Sequence, residues 1–468
     1  MTAAPRWALL AALLFVLAAL PAAALAGVLA TSDPAPGEVV GAPPERVRVA
    51  LGVPVETAFL ELEVMTPRGR VSGVASRDPR DPRAFLAPVR PAGRGVYGVA
   101  WRAFGRDGHP HGDLFHFEVG QVPDESFLIA TAVPPSDRGA LGVLARLLAL
   151  TGTLGLGGLV ALRWGVLAPA WRAGGVVPPV GASDPEGFRS RAGAALEAVA
   201  GRWWAVWWGF AAAAVAGLAL LPVVLLRALG EGPGALGTLL GDTRWGLAWI
   251  AQAALLAAAI AAALVLLRGD AWRAPAPAPA WALALGGPPA LALVAISWSG
   301  HAAAGDDAPL DIAIDAVHNG ATAAWLGGLA ALLALVPAAG RALASEDRTR
   351  LLAGVVVRFS ALAVTAVALL VATGIYRALV ELSSLGDLLD TGYGQALLAK
   401  LIVFALLLCG GAYNRLVLHP RLERAAIGLD PDDRGAAARL RTSVRAELAL
   451  AGGLMVAVAI LVSIPPPA

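Results

Sequence analysis

From residue 139 onward the chain is a succession of apolar stretches, each about as long as a bilayer is thick. This restricts it to a bundle of membrane-crossing helices. A helix needs roughly 20 predominantly apolar residues to span the hydrocarbon core. Eight such stretches are read, at about 139–163, 203–226, 245–267, 280–300, 312–336, 355–376, 395–414 and 446–464. Linkers such as "RGDAWRAPAPAP" and "SEDRTR" separate them, and "GLDPDDRGAAARLRTSVR" precedes the last. Only 15% of the 468 residues are charged, against roughly 25% in a soluble domain.

Residues 1–26 read as a secretory signal: Arg6, the apolar "WALLAALLFVLAAL", then "ALA" as a small-residue cleavage site. An uncleaved anchor helix is the alternative. Cleavage after Ala26 leaves Gly27 at the mature N-terminus and places residues 27 to about 130 outside the cytoplasmic membrane. Eight crossings from there put Arg163, Arg172, Arg189, Arg191 and Arg202 in the first inner loop and seven arginines from Arg415 to Arg445 in the last. Arg227, Arg244 and Arg377 fall in the outer loops. That asymmetry agrees with the positive-inside rule.

Between 27 and 120 the pattern changes. Short alternating runs, "RVRVALGV", "FLELEVM", "GVYGVAWRAF" and "DLFHFEVG", are bounded by Gly and Pro. Period-2 alternation between turn residues is the signature of strands. Val47, Val49 and Leu51 share one face, and so do Phe115, Phe117 and Val119, with His116 on the opposite, polar face. Several such strands in one small region predict an Ig-like or Greek-key β-sandwich. The fold class is thus mixed and multidomain. It comprises a signal (1–26), an all-β sandwich (27–122), a linker (123–138) and an all-α membrane bundle of eight transmembrane helices (139–468).

Three of the six histidines lie in "RDGHPHGDLFHF", residues 106–117. Asp107 and His109 flank a Gly in a tight turn ahead of the strand, and His111 follows two residues on. A carboxylate and an imidazole at that spacing can grip one ion from a single loop, and nitrogen with oxygen suits Cu(II), Zn(II) or Ni(II). His116 reads as a solvated surface residue. Cys409 is the sole cysteine and there are three methionines, which excludes a disulfide, a thiolate cage and a Met-rich ladder for a soft ion. A net charge of +2 gives no reason to expect nucleic acid.

The runs "TSDPAPGEVVGAPPERVRVALGVPVE" and "GVYGVAWRAFGRDGHPHGDLFHFEVG" resemble the CopC family of periplasmic copper-resistance proteins. The resemblance implies a β-domain binding Cu(II) through a histidine at the mature N-terminus, its amine, and the Asp and His of the D-G-H turn, here Asp107 and His109. This chain has Gly27 in place of that histidine, so only the amine remains there, and His111 is an extra imidazole nearby. A sandwich that has lost its metal and serves as a docking cap is the alternative.

In the membrane half, the loop between the fourth and fifth stretches reads "SGHAAAGDDAPLDIAIDAVHNG". His301 closes one helix. Asp311, Asp315, His318 and Thr322 share a face of the next. Ionisable groups at membrane depth are costly unless they pair or line a polar path. His301, Asp315 and His318 therefore read as a metal site at the outer mouth, with interhelical hydrogen bonding as the alternative. Lys400 reads as snorkelling to the interface, pairing with an aspartate of the mouth or, as a third reading, serving an anion or a proton. Asn414 and Arg415 read as an interface anchor.

"SGHAAA", "VHNGATAAWLGGL", "RFSALAV", "TGIYRAL", "TGYGQALLAKL" and "NRLVLHP" resemble the CopD family of inner-membrane copper-resistance proteins. That resemblance implies copper movement across the membrane, usually inward. The expectation is a non-enzymatic copper importer in the cytoplasmic membrane, contributing to copper homeostasis or resistance. Its expected partners are copper, the bilayer and periplasmic copper carriers. No phosphate-binding G-x-x-x-x-G-K-[ST] and no nucleophilic triad are present. Two other readings stay open: a haem-binding membrane redox protein with two histidine ligands, and a metal-free assembly or sensing partner for copper enzymes. No ligand ladder is found along the inner half of the bundle.

Overall fold

The structure, a computed structural model, describes residues 29–120, 139–170, 185–269, 279–305, 307–343, 345–382, 384–426 and 433–464. The expected signal, Gly27 and the expected linker at 123–138 lie outside the described residues.

The alternating segments build a two-sheet sandwich. One sheet runs β1 (Leu29–Asp33), β3 (Arg46–Leu51), β7 (Ala84–Pro88), β6 (Ser76–Arg77). The other runs β2 (Val39–Val40), β9 (Pro110–Val119), β8 (Gly95–Phe104), β4 (Glu61–Thr66), β5 (Gly69–Arg70). Val47, Val49, Phe85, Val99, Trp101 and Phe117 fill the space between them. Burying each such side chain contributes about 1.5–3 kcal/mol. Tyr97 stacks on Phe117 with ring centroids 5.2 Å apart. Its hydroxyl stays satisfied by donating to the Gly93 carbonyl at 2.8 Å. His116 is exposed, as its place on the polar face predicts.

The helical part consists of α1 (Ala140–Ala170), α2 (Pro185–Ala228), α3 (Arg244–Leu267), α4 (Pro279–Ser299), α5 (Ala308–Thr322), α6 (Ser345–Glu381), α7 (Gly392–Tyr413) and α8 (Asp433–Leu461). Among the described residues, seven helices are long and apolar enough to cross a membrane, where the sequence suggested eight. The remaining one, expected at 312–336, is α5, which continues through a π turn (Ala323–Gly327) into Gly328–Ala342. Asp311, Asp315, His318 and Asn319 make its first half polar.

α1 is the axis of the bundle, and glycine is what lets its neighbours in. A Cβ on Gly152 would stand 2.3 Å from the Ala214 amide nitrogen of α2, and one on Gly217 would stand 2.2 Å from that of Ala149. Small residues permit this backbone approach, on which helix association in lipid depends. Trp203, Trp204 and Trp207 then fill the wider part of the same seam. Arg163, expected in an inner loop, lies instead inside α1 in a π turn. It is buried, with its guanidinium 4.8 Å from the Trp203 ring centroid.

One end of the bundle carries the sandwich. Phe104, at the end of β8, is fully buried among Leu225, Leu226, Leu229 and Leu239, with Phe59 and Trp245 beside them. Two arginines clamp the contact. Arg102 donates to the Leu229 carbonyl, and Arg244 donates to the carbonyls of Ala303 and Arg106 while its amide donates to Glu56 at 3.0 Å. The ends of α2 and α4 and the start of α3 thus share the docked end.

Candidate metal centre

The turn between β8 and β9 is a compact cage for its own side chains. Gly105 accepts from Gly108 and donates to the His109 carbonyl, and the Arg106 amide donates to Pro54. Gly108 has φ +82°, which a residue with a Cβ adopts only at a cost. The absence of a side chain at Gly105 makes room for the cage. A Cβ there would lie 2.3 Å from Asp107 Oδ1 and 2.8 Å from His111 Nε2. Asp107, His109 and His111 are all buried. His111 Nε2 sits 3.1 Å from both carboxylate oxygens of Asp107, so the two form a bidentate pair within one short segment. Burial by itself pushes the Asp107 carboxyl up. His111 foremost, then His109 and His301, more than offset this and hold it well below the usual carboxylate range.

The turn points into the bundle, not into solvent. Gly108 rests on the Ser299 carbonyl at the end of α4. Beyond it, the rings of His109 and His301 lie 4.9 Å apart, centroid to centroid. His301 occupies a short 3-10 turn, His301–Ala303, after α4. Its Nε2 stands 3.4 Å from the Ile464 carbonyl, and its Nδ1 is buried with no hydrogen-bond partner among the described residues. Burial, with His109 beside it, pushes the His301 imidazole down to about 4. It is therefore neutral at pH 7, the form in which imidazole ligates a metal.

His301 also separates two cavities. One of about 220 Å³ lies between sandwich and bundle, lined by Val53, Asp107, His301, Asp311, Tyr376 and Glu381 among others. The second, of about 190 Å³, runs into the bundle past Asp315, His318, Arg377, Tyr393, Lys400 and Met455. Asp315 is held by Arg377 and by Asn319 at 3.0 Å. Arg377 also pairs with Glu381, which accepts in turn from Tyr393.

His318 has its tautomer set by Thr373. The Thr373 hydroxyl donates to Leu369 at 2.6 Å, so it accepts from His318 Nδ1 at 2.9 Å. That leaves the lone pair of His318 on Nε2. Among the described residues no three of the His, Cys, Asp and Glu side chains already converge as a metal cage. The ligand candidates instead stand in sequence: Asp107, His109 and His111, then His301, then Asp315 and His318.

Several of these partners escape a reading of the sequence alone. Arg377 and Glu381, one helical turn apart at the end of α6, were the available signal. Lys400 lines the second cavity with His318, rather than reaching for the membrane surface. Glu447 is missed altogether. It is buried on α8 and accepts from Asn414 Nδ2 at 2.6 Å, so the half-buried Asn414 has a carboxylate partner inside the bundle.

A β-sandwich seated on the end of a multi-pass apolar helix bundle, with histidines from both at the seam, defines a membrane protein with a docked extramembrane domain. Residues 29–120 match the family described as CopC domain, and residues 353–461 the family described as Copper resistance protein D. The chain is a CopC domain followed by a CopD domain, and so falls among the copper resistance and transport proteins.

Its relatives include Copper transport protein CutJ of Bacillus subtilis, 26% identical over 99% of this chain and 78% of that protein. Copper resistance protein D of Pseudomonas syringae pv. tomato is 31% identical over 46% of this chain and 66% of that one. Among solved structures, CopC from Methylosinus trichosporium OB3b matches at 25% identity, covering 22% of this chain and 99% of that one, with a TM-score of 0.19. PcoC from Escherichia coli matches at 25% identity, covering 19% of this chain and 97% of that one, with a TM-score of 0.18.

Proposed function

We propose that the protein admits copper across the cytoplasmic membrane, inward, with the sandwich on the outer side. The observation that carries this reading is the place of His301: its ring lies against His109, it shares one cavity with Asp107, and it shares the next with His318. A cation leaving the turn thus meets an imidazole at each step into the bundle. Asp107, Asp311 and Glu381 place three carboxylates on the wall of the first cavity, against the two guanidinium groups of Arg83 and Arg377. Deeper in, Met455 offers a thioether, and the Glu447–Asn414 pair supplies a polar group in the other half of α8. Membrane potential favours inward cation movement by about 2.3 kcal/mol per charge per 100 mV.

The test is cell-associated copper in a host expressing the chain beside His318→Ala, at matched membrane levels. Copper that rises with the intact protein and falls back with the variant supports import. Unchanged copper, or a Soret band from the purified protein, overturns it.

A further inference from the structure

The ligand groups at the seam belong to two different domains, and neither half holds the set alone. His109 comes from the sandwich and His301 from the bundle, with rings 4.9 Å apart. His301 Nδ1 is a buried nitrogen without a partner among the described residues, which costs free energy unless something occupies its lone pair. Asp107 stands in the same cage, a carboxylate already gathered with His111. Two imidazoles and a carboxylate are a borderline donor set that suits Cu(II).

We propose that Cu(II) is bound across the domain seam by His109 and His301 together, with Asp107 completing the set, so that copper binding and domain docking are one coupled equilibrium. The inference rests on the copper reading above but concerns binding, not transport. A ligand set that exists only when the domains are docked binds copper in proportion to the docked fraction. By reciprocity, copper strengthens docking by the same factor. The apolar plug around Phe104 and the Arg244 clamp therefore govern copper affinity without touching the metal.

The experiment uses the full chain purified in detergent, Cu(II) in competition with a chelator, and pulsed EPR to count imidazole nitrogens. The intact protein is expected to show at least two imidazoles. His301→Ala and His109→Ala should each remove one, and each should weaken binding by at least about tenfold, the loss that removing even an outer-shell partner brings. His116→Ala, on the exposed face, should change nothing. Phe104→Ala and Arg244→Ala should weaken binding while leaving the imidazole count of the copper-loaded form intact. The second variant guards against loss of fold in the first.

Copper affinity and imidazole count unchanged in His301→Ala overturn the proposal, whatever uptake shows. Binding that follows it in a protein that does not raise cell copper sustains it and refutes import instead.

Discussion

Gly108 lies so close to the carbonyl of Ser299 that a Cβ added to it would stand 2.7 Å from that oxygen, with Trp245 at 3.2 Å. Its φ of +82° adds a second constraint. Gly108→Ala therefore meets a backbone conformation costing roughly 1–2 kcal/mol and a backbone contact that cannot yield. The expected outcome is a sandwich lifted from α4 with its own core intact. Hydrogen exchange should rise at 299–305 and at 225–239 and stay unchanged in β3 and β8. Unchanged exchange at the seam would show that the turn does not depend on this contact.

The half-buried pair Asp315–Arg377 lends itself to a mutant cycle. Removing one partner strands the other charge, whereas removing both is milder. Arg377 serves Asp315 and Glu381 alike. Arg377→Gln should thus lower the apparent melting temperature in detergent more than Asp315→Asn does. The double variant should melt above the value expected from adding the two. Strict additivity would mean that the two groups act independently.

The two domains were legible in the sequence because each announces its solvent. Strands such as "GVYGVAWRAF" alternate with period 2, and the helices are apolar over bilayer length, so burial alone specifies them. His109 and His301 are far apart in the chain, and only docking brings them together. That docking runs through Phe104, which in a strand pattern is one more core residue. Arg244 and Arg377 are two of the three arginines that the sequence assigns to the outer loops. They are tolerated at the docked end because one clamps the sandwich and the other neutralises Asp315 and Glu381. Asp107 and His109 stood out by their turn, but nothing local shows that the turn faces inward.

Glycines on α2 separate structural from neutral positions. Gly217 meets the Ala149 backbone, while a Cβ on Gly209 meets nothing within 4 Å. Gly217→Ala should push α1 and α2 apart and lower the yield of folded protein. Gly209→Ala should be neutral or stabilising by up to about 1 kcal/mol, the gain in helix propensity. Size-exclusion profiles in detergent distinguish them, and equal behaviour would disprove the close approach of α1 and α2.

Acid should loosen the seam through His301. Its imidazole is held at about 4 when docked, below the usual value near 6.5 of an exposed histidine. Between those values an undocked His301 takes a proton that the docked one refuses. The docked state therefore keeps its full advantage above pH 6.5 and loses it progressively as pH falls towards 4. Asp107, held below the ordinary carboxylate range, acts in the opposite part of the scale: its contribution is lost only as pH falls below about 4. Crosslinking across the seam at pH 7.5, 5.5 and 4.5 should thus decline in the intact protein before Asp107 is involved. His301→Gln, which has no proton to take up in this window, should flatten the decline between 7.5 and 4.5. An unchanged slope in that variant would assign the acid response to another group.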